Sequence, residues 1–209
     1  DGHRVPVTVR TFPIRDADSN VVAAVEVFSD NRSTESFQNE NKRLQELLIT
    51  DELTQVYNRR YLDFQLKKHI EEADTFGNSF GVLFFDLDLF KNVNDTYGHN
   101  IGDKMLQLVS RTISKNVRSN DIFGRWGGEE FILVAKLDNK RQLKRFAEKL
   151  RILVEKSSIE IKPQEDLRVT VSVGGTIYEK DSEISDLIEK ADKNMYNAKV
   201  NGRNKSIVE

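Results

Sequence analysis

Apolar and polar residues alternate from the start of the chain. Val5, Val7 and Val9 are interleaved with Arg4, Thr8 and Arg10, a period of two that predicts a strand. A second β-rich run covers residues 21–28, and Asp16-Ala17-Asp18-Ser19-Asn20 between the two is turn chemistry. Residues 4–28 therefore read as a hairpin. A lone hairpin is marginal in water, so this one needs further strands or a partner to cover it. It reads as the end of a domain whose earlier part lies outside the chain.

The pattern changes over residues 33–50. Ser33 or Thr34 is a helix cap, and Phe37, Asn41, Leu44 and Leu48 follow at spacings of four, three and four. That is a short heptad seam, with Asn41 as the polar residue that fixes register in parallel dimers. A linker helix packed on its own domain fits the same residues, and two heptads leave both readings open.

From residue 51 helices and strands take turns. Tyr61, Phe64, Leu66 and Ile70 predict a helical face. Residues 80–87 (FGVLFFDL) predict a buried strand, and Met105, Leu106, Leu108, Val109 and Ile113 a helix. A hairpin over 122–135, a helix over 140–155, a strand through Val169, Val171 and Val173, and a helix near 183–199 complete the series. Because one hairpin is antiparallel and strict βαβ alternation is lacking, the expected class is α+β, a sheet with helices on its faces, not a doubly wound fold.

Composition narrows the function. The 209 residues carry 32 Lys and Arg against 34 Asp and Glu, a net charge of −2 that argues against a nucleic-acid coat. There is no Cys, which excludes disulfide scaffolds and Cys-ligated metal sites. With no apolar run long enough to span a bilayer, no membrane contact is expected within this segment. A soluble protein of a reducing compartment is the resulting expectation.

Two places carry chemistry. Asp86 and Asp88 end the buried strand, where ligands commonly bind, and a carboxylate there without a nearby strand cation suits a hard ion such as Mg2+. Equally, both could simply cap the following turn. The second place is Arg125-Trp126-Gly127-Gly128-Glu129-Glu130-Phe131. Gly127-Gly128 reads as a two-residue hairpin turn with Glu129 at its tip. Solvated carboxylates after a tight turn are one reading. A two-carboxylate metal site formed by Glu129 and Asp86, for phosphoryl chemistry, is the other.

The string GGEEF at 127–131 resembles the signature of the GGDEF family of diguanylate cyclases, in its Glu variant. The resemblance extends over residues 51–209. Asp51-Glu52-Leu53-Thr54 with Asn58-Arg59-Arg60 is similar to the family's opening motif. Asp86 through Asp95 and Gly98 through Asp103 are similar to its central block, and Ala191-Asp192 through Asn204 to its closing helix.

That resemblance implies a nucleotidyl-cyclase-like, antiparallel-rich central sheet and the condensation of two GTP into cyclic di-GMP with release of two pyrophosphates. It implies Mg2+, or Mn2+ in its place, held by Asp86, Glu129 and the Leu87 carbonyl. Glu129 would also accept the proton of the attacking 3′-hydroxyl, with Glu130 assisting at the metal. Lys91 would stabilise the phosphoryl group in flight, and Lys199 and Arg203 would hold the triphosphate. Asn94 and Asp103, with His99 close by, match the guanine-reading positions. A carboxylate can accept from both N1–H and the exocyclic amine of guanine, a donor pair adenine lacks.

Arg118-Ser119-Asn120-Asp121 resembles the family's inhibitory product site; a surface ion pair is the plain alternative. The first 32 residues resemble the last strands of a PAS sensor domain. The domain expectation is thus a PAS-like end at 1–32, a linker helix at 33–50 and a cyclase domain at 51–209. One GTP per domain requires a homodimer with facing sites. A bacterial cytoplasmic setting follows, and a membrane anchor in regions beyond the N-terminus is compatible with it. The competing class is a catalytically silent receptor for cyclic di-GMP or GTP, against which the intact Asp86, Lys91, Asn94, Asp103, Glu129 and Glu130 argue.

Overall fold

In residues 82–85 all four side chains are large and apolar, whichever face they point to, so this strand needs cover on both faces. A computed structural model, which describes residues 7–30, 47–137 and 139–209, provides that cover. The chain divides into two units, Asp1–Leu48 and Ile49–Glu209.

In the first unit, strands β1 (Val7–Arg15) and β2 (Val21–Asp30) form an antiparallel hairpin. Its turn is built as the sequence predicts: the Asp16 carboxylate accepts from the backbone N–H groups of Asp18 and Asn20, both at 2.9 Å. Val9 lies opposite Phe28 on one face, Phe12 opposite Val25 on the other, and all four are exposed. Residues 31–46 lie outside the described residues, and with them Phe37, Asn41 and Leu44 of the expected seam. Residues 47–49 are helical, and Leu48 is exposed.

In the second unit, α1 (Arg59–Phe76) precedes β3 (Gly81–Leu87), which is followed by two abutting helices, α2 (Phe90–Tyr97) and α3 (His99–Ser114). The hairpin β4 (Ile122–Gly127) and β5 (Glu130–Ala135) leads to α4 (Lys140–Glu155). A small ribbon, β6 (Ile159–Lys162) with β7 (Glu165–Leu167), precedes β8 (Val171–Ile177), α5 (Ile184–Val200) and β9 (Ser206–Val208). The main sheet has the order β4-β5-β3-β8-β9, antiparallel throughout except for the parallel β8–β9 pair. This is the expected α+β, antiparallel-rich class.

β3 is central, and its two faces lie in two cores. Leu83, Phe85 and Leu87 pack with Met105, Val109 and Ile113 of α3 and Leu143, Ala147 and Leu150 of α4. Val82 and Phe84 pack with Leu62 and Leu66 of α1 and Leu187, Ala191 and Met195 of α5. Burying such side chains stabilises the fold by about 1.5–3 kcal/mol each. α5 comes unusually close to the sheet: a Cβ at Gly174 would collide with the Ala191 carbonyl and the Met195 amide. Buried Asn194 seals that contact by donating to the Gly175 carbonyl at 3.0 Å.

The structure corrects one expected face. α1 buries Leu62, Leu66, His69 and Ala73, while Phe64 is exposed. The residues that point inward keep the four-three-four spacing, and His69 joins them because its Nδ1 lies 2.9 Å from the Gln65 carbonyl. The short elements α2, β6, β7 and β9 were not anticipated. No helix among the described residues is long and apolar enough to cross a membrane.

Candidate active site

The signature turn is shifted by one residue from the expectation. Gly127 pairs with Glu130, so the two-residue loop is Gly128-Glu129, with Gly128 at φ +50°. A positive φ at the first loop position suits glycine, which has no Cβ to clash. Glu129 is thus one of the two loop residues, at the tip as expected, and half-buried. Its backbone is tied to β3, where the Leu87 N–H points at the Glu129 carbonyl at 3.4 Å. Directly across the ladder, Asp86 stands opposite Glu130 on one side and Ser172 on the other.

Asp86 is 5% exposed. Its Oδ2 is 2.6 Å from the Lys199 ammonium, which reaches over from the last turn of α5. The absence of a cation in the neighbouring strand sequence was therefore misleading, because the cation comes from a distant helix. The other oxygen, Oδ1, is buried and has no hydrogen-bond partner. Burial, above all, pushes the Asp86 carboxyl above the ordinary carboxylate range; Lys199 pulls the other way, and Glu129 and Asp88 add to the rise. Glu130 is raised for the same reason, burial first, then the charges of Asp86 and Asp192. Even with Lys199 present, the cluster is short of positive charge.

A hard divalent cation fits that deficit. Asp86 Oδ1 is an orphaned oxygen, Glu129 and Glu130 are half-buried carboxylates on the adjoining turn and strand, and all are oxygen donors. Among the described residues no group of three acidic or imidazole side chains stands ready to enclose an ion.

Asp88 has a different task. Its carboxylate accepts from Ser172 Oγ (2.7 Å), Thr170 Oγ1 (2.6 Å) and the Asn204 backbone N–H (3.0 Å). It anchors the loop after α5 to the strand ends. Neither residue caps the following turn: Asp88 is spent on β8 and the loop after α5, and Asp86 keeps one oxygen free. Arg203 precedes that anchored residue, exposed and at φ +57°. Asn204 also donates to Glu155 at 2.7 Å and bonds to Arg151. The triphosphate-binding candidates Lys199 and Arg203 thus lie on one short segment, held over the end of β3.

Asn94 lies on α2, and His99 and Asp103 on α3, on either side of the corner between the two helices. Gly98, at φ +82°, closes one helix and opens the next. Gly102 then leaves room for the Asn94 side chain, whose Oδ1 occupies the space a Cβ would take. Asn94 is half-buried and Asp103, the next residue along, is exposed, as are His99 and Lys91. The base-reading candidates thus flank one corner, on different elements from the carboxylates.

Arg118 and Asp121 lie just before β4, at the far end from the signature turn. Six strand residues separate the two places, on the order of 20 Å. Asp121 is buried, and its carboxylate accepts from the Arg118 backbone N–H at 2.8 Å, closing the turn. Among the described residues the Arg118 guanidinium has no carboxylate partner. Both residues line a cavity of about 710 Å³ together with Lys115, Lys136, Arg145 and Lys149. The plain ion-pair alternative is thus not what the side chains form.

Residues 48–205 match the family model described as "Diguanylate cyclase, GGDEF domain". Diguanylate cyclase DosC of Escherichia coli K12 is 39% identical over 155 residues, 74% of this chain and 34% of DosC. Response regulator PleD of Caulobacter vibrioides is 37% identical over 176 residues, 83% of this chain and 38% of PleD. The chain spans about a third of the length of these relatives. In structure it is similar to the coiled coil and GGDEF domain of DgcB from Caulobacter crescentus, solved with c-di-GMP. The TM-score is 0.79 at 26% identity, covering 85% of this chain and 94% of that one. Sequence match, sheet order and a signature hairpin set beside a buried strand-end carboxylate agree: the chain belongs to the GGDEF domain family of diguanylate cyclases.

Proposed function

We propose that this chain is an active diguanylate cyclase that condenses two GTP into cyclic di-GMP and releases two pyrophosphates. The observation that carries the reading is the buried, unpartnered Oδ1 of Asp86 beside the Gly128-Glu129 turn. Asp86, Glu129 and the Leu87 carbonyl hold Mg2+, or Mn2+ in its place, with Glu130 beside them. When bound, the ion supplies charge stabilisation for phosphoryl transfer.

The remaining work falls to this chain's side chains. Lys199 and Arg203 hold the triphosphate, and Lys91 on the first turn of α2 neutralises charge on the transferring group. Glu129 takes the proton from a 3′-hydroxyl as that oxygen bonds to the α-phosphorus of the second GTP. The bond from that phosphorus to the pyrophosphate oxygen breaks, and the same exchange repeats in the other direction. Since each domain has one set of these residues, two domains face each other as a homodimer. Incubation with GTP and Mg2+, followed by identification of the product, tests the reading. Cyclic di-GMP and pyrophosphate in a one-to-two ratio support it, and binding of GTP without turnover would move the chain to the silent-receptor class.

Asp103, with Asn94 and His99 flanking the same corner, reads guanine. Asp103→Ala is expected to weaken GTP binding about tenfold or more and to narrow the preference over ATP, because a charged acceptor is lost from two donors. Competition binding with both nucleotides checks this; undiminished discrimination would assign the base to another residue.

The cavity at Arg118 and Asp121 takes cyclic di-GMP. Five cations around it suit two phosphates, Arg118 can bridge a phosphate or a guanine edge, and Asp121 is an acceptor for guanine N–H groups. Cyclic di-GMP is expected to inhibit the wild type, and Arg118→Ala to relieve inhibition by at least tenfold in product concentration while the initial rate stays unchanged. Initial-rate assays with added product decide it, equal inhibition of both proteins removing the assignment.

A further inference from the structure

The signature turn is gripped from below by a residue to which the chemistry above gives no role. Arg125, three residues before Gly128, folds its guanidinium back under the turn. Nε and Nη2 donate to the Gly128 carbonyl at 2.9 and 2.7 Å. Nη1 of the same group reaches Asp51, at 3.2 and 3.3 Å from its two oxygens. Asp51 is itself fixed by the Thr54 N–H at 2.9 Å and the Thr54 hydroxyl at 2.6 Å. Burial works against its charge, but the Thr54 hydrogen bonds and the Arg125 charge hold its carboxyl below the ordinary range. The pair is therefore charged at neutral pH.

The surrounding backbone shows why this grip matters. β4 is an edge strand, and residues 50–58 cover its free side. Arg125 donates its N–H to the Tyr57 carbonyl at 2.8 Å, and Tyr57 donates to the Phe123 carbonyl at 3.3 Å. Gly124 allows this approach, since a Cβ there would strike the Tyr57 carbonyl. The same loop is closed on itself, with Asn58 N–H on the Ile49 carbonyl and Asp51 N–H on the Val56 carbonyl, both 2.8 Å. Glu129 thus sits between two pins: its own carbonyl meets Leu87 N–H, and the preceding carbonyl is held by Arg125.

We infer that Arg125 is a positioning residue for Glu129, and that Asp51 transmits the placement of the 49–58 loop to the signature turn through it. Movement of that loop would then shift Glu129 relative to Asp86. Two fixed donors on one carbonyl need the planar fork of a guanidinium, which an ammonium cannot reproduce. The inference rests on the reading of Glu129 as a reacting group, and its test is chosen so that the two can fail separately.

The test compares wild type, Arg125→Lys, Asp51→Asn and the double variant. Hydrogen exchange at the amides of residues 127–131 is measured alongside kcat and KM for GTP. Arg125→Lys is expected to lower kcat about 10²-fold, the cost of a displacement near 1 Å, with KM within twofold. Exchange at 127–131 should quicken while the β3 amides keep their protection. Asp51→Asn should show a smaller effect of the same kind, and should add little in the Arg125→Lys background, because both act through one guanidinium. Unchanged tip exchange in Arg125→Lys would overturn the inference, as would faster exchange throughout the domain in both single variants, since the pair would then be a general fold element. Additive effects would overturn the transmission step. If the wild type proves inactive, the cyclase reading falls, and the exchange data still decide whether Arg125 and Asp51 hold the turn.

Discussion

Glu129→Gln is expected to abolish cyclic di-GMP synthesis and Asp86→Asn to reduce it by about 10³-fold, with the fold intact in both. The amide keeps the shape of the carboxylate and removes its charge, so each change subtracts charge stabilisation from the transition state and leaves packing alone. In the proposed mechanism Glu129 also accepts the 3′-hydroxyl proton, which an amide cannot do. EDTA should likewise stop the wild type. Near-normal rates in either variant, or turnover in EDTA, would sink the two-carboxylate assignment.

Stability offers a second readout at the same residue. Burial raises the folded-state carboxyl of Asp86 above its unfolded value of 3.8. Between those two values the native state holds the proton more than the unfolded state does, so stability falls as pH rises through that window. In EDTA, Asp86→Asn should therefore gain on the wild type in urea unfolding as pH rises from about 3.8 upward. A loss of activity with no loss of stability is the expected signature of a carboxylate kept for chemistry at the expense of the fold.

The rate per subunit is expected to rise with protein concentration until the dimer is saturated. In the proposed reaction each attack uses the 3′-hydroxyl of one nucleotide on the α-phosphate of the other, and one domain carries one set of the candidate nucleotide-binding residues. At concentrations well below the dimer dissociation constant, a tenfold dilution should lower the specific activity nearly tenfold. Leu44→Asp with Leu48→Asp should lower it further in dilute solution, because tethering through a helical seam raises effective concentration without touching the chemistry. Sedimentation and initial rates across the same range check both statements. A concentration-independent rate from a species shown to be monomeric would falsify the facing-dimer mechanism. If only the helix variants are harmless, the dimer stands and the seam is discarded.

Local chemistry was enough to read much of this molecule from its sequence. Period-two alternation marked β1, β-rich composition marked β2, the apolar run ending in Asp86 marked β3, and helical spacing marked α3, because burial imposes those patterns directly. The end of an apolar run marked Asp86 and the Gly-Gly turn marked Glu129, while Asn94 and Asp103 were marked only by the resemblance to the GGDEF family. Short elements escaped: β9, only three residues long, has no period of its own and exists through pairing with β8.

Tertiary structure alone decided the rest. The face that α1 turns inward depends on what the sheet offers it, and Phe64 lost that place to Leu62 and His69. The cation on Asp86 comes from Lys199, 113 positions along the chain, and arrives only because Gly174 lets α5 settle onto β8. Asp88 and Asp86, two residues apart, became an anchor and an open ligand because the first found three donors and the second kept one oxygen free. The bond between Asp51 and Arg125 joins residues 74 positions apart. Sequence spacing carries the periods that burial demands; which distant charges meet is settled only when the packed layers bring them within hydrogen-bonding distance.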